Sequence, residues 1–215
     1  MIPMFAATLL GGLLGWLAGH VAVLLPRGEA GSAVAWRRAV SEGRVEHLTG
    51  LVLGAAIFGA ASVYQDDYGD AAAASALSVL LIVTLLIDLR HHLVYPVMVL
   101  VGLILGLVLT PFAGEAGPLS CVIAAVIAAT AFLLLFVIGL LLFRQAALGF
   151  GDVYLAAMIG AMVGLRWTPA ALFLGIVLSA LGGVLLLATR QKGMHDYLPF
   201  GSGMCLAAMI VLVLR

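Results

Sequence analysis

Residues 118–143 read PLSCVIAAVIAATAFLLLFVIGLLLF, a run without one charged side chain. It exceeds the ~20 apolar residues with which a helix crosses a bilayer. Its apolar residues are continuous, not alternating as in the strands of a membrane barrel. The segment therefore predicts a membrane helix, and the rest of the chain has the same character. Of 215 residues, 65% are hydrophobic and 9% charged, and the mean hydropathy is +1.26. Soluble domains are roughly half apolar and a quarter charged, so a water-soluble globule is excluded. Disorder, which needs low hydrophobicity and high charge, is excluded too. Ten basic residues balance ten acidic ones, which leaves no basic field for nucleic acid. Two cysteines cannot make a disulfide scaffold. The composition predicts an all-α, polytopic membrane protein whose constant partner is the lipid bilayer.

Eight apolar segments are legible: Ile2–Leu25, Val45–Val63, Ala71–Ile87, Leu93–Phe112, Pro118–Phe143, Val153–Leu165, Thr168–Thr189 and Leu198–Leu214. Short breaks at Gly69-Asp70, Pro111, Gly117-Pro118 and Thr168-Pro169 separate them. The first segment lacks a small-residue cleavage signature and reads as a retained helix. One membrane domain, 1–215, is expected, with a single sizeable loop at 26–44. Assigned alternately to two sides, the loops put Arg27, Arg37, Arg38, Arg44, Arg90, Arg144, Arg190 and Lys192 together, against Arg166 and Arg215. Asp66, Asp67, Asp70 and Glu115 fall on the second side. The positive-inside rule makes the first side cytoplasmic and both termini external.

Two acids stand at the edges of apolar segments, where a charge is costly and marks a candidate functional site. Asp88 ends the third segment in Ile87-Asp88-Leu89-Arg90, and Asp152 opens the sixth in Gly149-Phe150-Gly151-Asp152. By the loop alternation both lie at cytoplasmic helix ends, so packing can bring them together. The sixth segment is short, at about 1.5 Å per residue, against roughly 30 Å of hydrocarbon. Its start is expected below the membrane surface, beside a water-accessible cavity. Gly149 and Gly151 permit close approach of another chain, and irregular backbone at that depth belongs where protein or a cavity covers it.

Two neighbouring carboxylates share a proton. The ionised one can activate water toward a peptide carbonyl, and the protonated one can donate to the carbonyl oxygen. The same residues have plainer readings. Asp88 can pair with Arg90, and Asp152 can cap its own helix. A proton-coupled transporter would use such acids as well. His20 and His47 can face each other across the first loop, but a histidine pair without cysteines is a poor zinc signal.

Longer motifs surround the acids. Gly149-Phe150-Gly151-Asp152 is a GxGD motif at the head of a membrane helix, and Ile87-Asp88 through Tyr95-Pro96 has the form of an I-D-x-x-x-x-x-I-P segment. Pro199-Phe200-Gly201 is close to a P-F-G-P turn. Gly15 to Pro26 has the spacing of a G-S-F-L-N-V-V-I-x-R-L-P opening, and Val45 to Gly50 is similar to L-V-E-L-L-T-G. In this order the landmarks resemble the type IV prepilin peptidases, GxGD-type intramembrane aspartyl proteases of the bacterial inner membrane. The resemblance implies that Asp88 and Asp152 are the catalytic pair, supported by Gly149, Gly151, Pro199, Phe200 and Gly201, in a peptidase core over 71–215. It implies removal of a short basic leader from type IV prepilins or type II secretion pseudopilins, after a glycine, at the cytoplasmic face. A catalytically degenerate prepilin-binding homologue is the neighbouring alternative.

The chain also departs from the family pattern. The family's four loop cysteines, which bind a structural zinc, have no counterpart in 26–44, so that loop is expected to be zinc-free. Cys121 and Cys205 lie within apolar segments and read as core residues. Gly19 and Leu24 replace the opening motif's Asn and Arg. Methylation of the new N-terminus with S-adenosylmethionine, associated with that region, is therefore expected to be weak, altered or absent. Tyr154 stands for a family Lys, and Ser202 for the last proline of P-F-G-P. Neither is expected to touch the acid pair.

Overall fold

The computed structural model describes residues 2–24, 43–91, 93–112, 116–143, 149–188 and 200–215. Among them the chain forms seven helices and no strand: α1 (Ile2–Leu24), α2 (Arg44–Tyr64), α3 (Tyr68–His91), α4 (Pro96–Phe112), α5 (Pro118–Phe143), α6 (Phe150–Ala188) and α7 (Phe200–Leu214). Five contain stretches long and apolar enough to cross a membrane: Met4–Leu24, Arg44–Tyr64, Tyr68–His91, Pro118–Leu142 and Phe150–Leu185. Shorter apolar helices cover Pro96–Pro111 and Phe200–Leu214. The chain is an all-α polytopic membrane protein.

The sixth and seventh expected segments form one helix, α6, broken at Gly164. Gly164 has φ 73° and ψ 169°, a region open almost only to glycine. The sequence suggested the break at Thr168-Pro169. Instead Thr168 already belongs to the second arm, where its hydroxyl donates to the Gly164 carbonyl at 2.7 Å. Side chains from other helices serve the backbone groups freed by the break. The Met162 carbonyl accepts from Thr110 Oγ1 at 2.8 Å and from Arg215 Nη1 at 3.0 Å, and the Leu165 N–H donates to Ser120 Oγ at 3.1 Å. Buried carbonyls need such partners when the ladder stops.

The break reverses the chain. Gly201 abuts Leu155, and Arg215 reaches Met162, so α7 runs parallel to the first arm of α6. Gly175 abuts Met204, and Gly203 abuts Ser179, so α7 runs antiparallel to the second arm. α7 also packs against α3, and its residues from Gly201 to Val213 are mostly buried. This explains how a helix of 15 residues with almost no polar side chains occupies the centre of the bundle. Around it, α5 turns Val126, Leu134 and Leu141 outward, as suits a lipid-facing side.

α1 and α2 form a tight antiparallel pair. A Cβ at Gly11, Gly15 or Gly19 would run into the α2 backbone, and one at Gly50 or Gly54 into that of α1. Spacing small residues every four positions lets two membrane helices meet backbone to backbone. At the end of this seam the buried rings of His20 and His47 stack, with centroids 3.9 Å apart and planes 20° apart. They do face each other, as expected. The loop to which the zinc-free expectation belongs lies outside the described residues except for 43–44.

Candidate active site

Asp88 occupies the last turn of α3. The run Leu81–Ile87 before it is wholly buried, and the same packing carries Asp88 inward until it is only 5% exposed. There it meets the N-terminus of α7. The Ser202 backbone N–H donates to Asp88 Oδ2 at 2.6 Å. Early N–H groups of a helix have no intrahelical acceptor, and the positive end of the dipole favours an anion. Gly201 permits the approach, because a Cβ there would stand 3.1 Å from Asp88 Cγ and 3.2 Å from Leu155 Cδ2.

Asp152 is held in a similar way by its own helix. Its Oδ2 accepts from the Gly149 N–H at 3.0 Å, while its own N–H donates to the Gly149 carbonyl at 3.0 Å. Asp152 is 7% exposed. Among the described residues its Oδ1 takes no hydrogen bond. Gly151 lies against the segment preceding α4, where a Cβ would come 3.1 Å from Val94 Cβ. Close packing on a neighbouring segment, expected of both glycines, holds at Gly151, whereas a Cβ at Gly149 would meet only Asp152 Oδ2 at 3.5 Å and the Gly151 nitrogen at 4.0 Å among the described residues.

The two acids lie at one end of the bundle, against one element. Leu155, one turn beyond Asp152 on the same helix face, touches Gly201, which touches Asp88. One turn along α7 from Gly201 lies the buried Cys205. The plainer readings separate here. Arg90 does not serve Asp88, because its Nη1 goes to Glu46 Oε1 of α2 at 2.7 Å. Asp152 does cap its own helix, through one oxygen.

Phe200 begins α7 and packs on Phe132, with centroids 6.2 Å apart. Tyr154 is 44% exposed and sets its ring edge-on to Phe150 at 5.0 Å, on the outside of the arm. It stays off the acid pair, as expected. The expectation for Ser202 is corrected: its backbone contacts Asp88 directly. Side-chain identity carries no sign of a backbone donor, which is why the sequence did not disclose it. Pro199 and His92 lie outside the described residues, and His91 closes α3. Cys121 and Cys205 are buried core residues as expected. The Glu46–Arg90 pair was missed, although an acid at the start of one segment and a base at the same-side end of the next was a usable signal.

No solved structure matches the chain. Two curated relatives do. The prepilin leader peptidase/N-methyltransferase of Pseudomonas putida is 35% identical over 129 residues, and that of Pseudomonas aeruginosa is 31% identical over 128 residues. Each match covers 60% of this chain and 44% of the relative, so the chain spans less than half the length of the curated relatives it matches. The sequence pattern of the type IV leader peptidase family matches residues 75–184, a stretch that contains Asp88 and Asp152 and covers just over half of the chain. The chain belongs to the type IV leader peptidase family.

Proposed function

We propose that the protein is a membrane aspartyl endopeptidase with Asp88 and Asp152 as its catalytic pair. Its substrates would be prepilins or pseudopilins, each with a short basic leader ahead of a hydrophobic helix, cut after a glycine at the cytoplasmic face. The observation that carries this reading is that two buried carboxylates lie at one end of the bundle, Asp88 on the first turn of α7 and Asp152 one turn from Leu155, which packs on Gly201 of α7. The positive-inside charge distribution supports a cytoplasmic position for that end.

The chemistry needs one ionised and one protonated carboxyl. The ionised group takes a proton from water, and the water oxygen bonds to the scissile carbonyl carbon. The protonated group donates to the carbonyl oxygen as it gains charge. Collapse of the tetrahedral intermediate breaks the C–N bond, and the leaving amine takes up a proton. The pair titrates as a unit, so the two roles belong to the dyad. Backbone amides from Ser202 and Gly149 hold one oxygen of each carboxylate. N-methyl transfer, the second activity in the relatives' description, would draw on S-adenosylmethionine and is proposed to be weak, altered or absent in this chain, and zinc is proposed to be absent from its first loop. Neither is required for hydrolysis by the acid pair.

The test mixes detergent-purified protein with a prepilin carrying a glycine–hydrophobic junction. Loss of the leader with the parent protein, and none with Asp88→Asn or Asp152→Asn, supports the reading. Cleavage at the parent rate by either variant removes that residue from the mechanism. Methylated mature pilin made by the purified protein would defeat the methylation proposal.

A further inference from the structure

The α1–α2 pair carries an apolar groove on its outer side, of about 500 Å³. Leu9, Gly12, Leu13 and Trp16 of α1 and Leu51 and Ala55 of α2 line it. Gly12 and Ala55 form its floor: a Cβ added to Gly12 would find the Ala55 Cβ at 3.7 Å. Leu9, Leu13 and Leu51 stand above this floor as exposed walls. The groove closes at Trp16, whose indole packs on the buried His20 ring at 4.2 Å. That is the end of the bundle bearing the acid pair, because the neighbouring Gly19 abuts Glu46, and Glu46 is bonded to Arg90 of α3.

Arg44 stands over the same end. At seven and eleven positions from Leu51 and Ala55, it shares their face of α2. It lies about 10 Å beyond Leu51 along the axis. It is exposed, and among the described residues it has no ion-pair or hydrogen-bond partner. Glu46, the one acid in α2, is taken by Arg90. The groove thus lies within the membrane-spanning stretches of α1 and α2, on the face of α2 that carries the Arg44 guanidinium at its end.

We propose that this groove binds one anionic phospholipid from the leaflet adjoining the Asp88–Asp152 end, an acyl chain lying between α1 and α2 and the phosphate resting on Arg44. Charge complementarity favours this occupant.

The experiment is native mass spectrometry of the detergent-purified full chain with dioleoylphosphatidylglycerol and dioleoylphosphatidylcholine in equal amounts. The parent should retain phosphatidylglycerol preferentially. Arg44→Gln should reduce that preference about fivefold and leave phosphatidylcholine binding unchanged. Gly12→Leu, at a position with room for a side chain, should lower binding of both lipids at an unchanged melting temperature. Ala55→Leu fills the groove from the other helix and should do the same. Equal retention of the two lipids by the parent overturns the proposal, as does undiminished binding by the folded groove-filling variants. A parent dimer that Gly12→Leu dissociates would overturn it in favour of a second copy of the chain. Displacement of the lipid by a hydrophobic helical peptide would overturn it in favour of a helix.

Discussion

The Ser202 backbone N–H lies 2.6 Å from Asp88 Oδ2 across 114 positions of sequence. A helix N-terminus and a carboxylate from the end of another helix make one unit. Gly201 is the reason they can, because a side chain there would crowd the carboxyl carbon at 3.1 Å. Gly201→Ala should push Asp88 off the Ser202 amide. A hydrogen bond to a charged group contributes roughly 1.5–3 kcal/mol, so kcat on a prepilin should fall by about 10- to 100-fold, with KM little changed. A rise in KM at constant kcat would place Gly201 in substrate binding instead.

Asp88→Asn and Asp152→Asn should each lower kcat by roughly 10²–10⁴. The double variant should be no slower than the poorer single one, because the two residues act as one unit. Single-turnover cleavage by the three variants measures this. Multiplying losses would mean two independent contributions.

The Arg90 guanidinium goes to Glu46, so Asp88 does not depend on it. Both side chains of the pair are partly solvated, at 31% and 16% relative exposure. An ion pair of this kind is worth about 0–1 kcal/mol. Arg90→Gln should leave cleavage within a few-fold of the parent and lower the melting temperature slightly, by an amount that shrinks as salt is added. Loss of activity at an unchanged melting temperature would give Arg90 a part in the chemistry.

Gly164→Ala should destabilise the fold by about 1–3 kcal/mol, since φ 73° with ψ 169° is a backbone state that a Cβ opposes. Thermal unfolding in detergent checks it. A melting temperature equal to the parent's would mean that α6 can turn back without this conformation.

Gly12 and Gly15 on α1 should respond oppositely to alanine. A Cβ at Gly15 would run into the Gly50 carbonyl, whereas one at Gly12 would meet only ordinary van der Waals contacts. Gly15→Ala should therefore part the α1–α2 seam and lower the melting temperature, and Gly12→Ala should not. Equal effects at both positions would mean that the seam has another register.

Long-range contacts divided what could be read from what could not. Asp88 and Asp152 stood out in the sequence because an acid at the edge of an apolar segment is costly wherever the chain goes. Tyr154 could be read as peripheral, because two positions along a helix turn a side chain to another face than that of Asp152, and His20 and His47 as neighbours, because consecutive antiparallel segments bring together the ends that flank a loop. The Ser202 contact could not be read, because the atom that meets Asp88 is a backbone N–H, which every residue except proline carries. Gly164 could not be read either. The chain has 26 glycines, and only the demand for a reversal between two arms selects Gly164 for a positive φ.

The sequence by itself determined the all-helical membrane character, the segments and the two acids, since hydropathy and charge cost are properties of each stretch alone. Tertiary structure decided that α6 folds back at Gly164, that α7 sits at the centre, and that its first amides meet Asp88. Those outcomes depend on which surfaces fit when helices close on one another, and that fit is a property of the packed helices together, absent from any one of them.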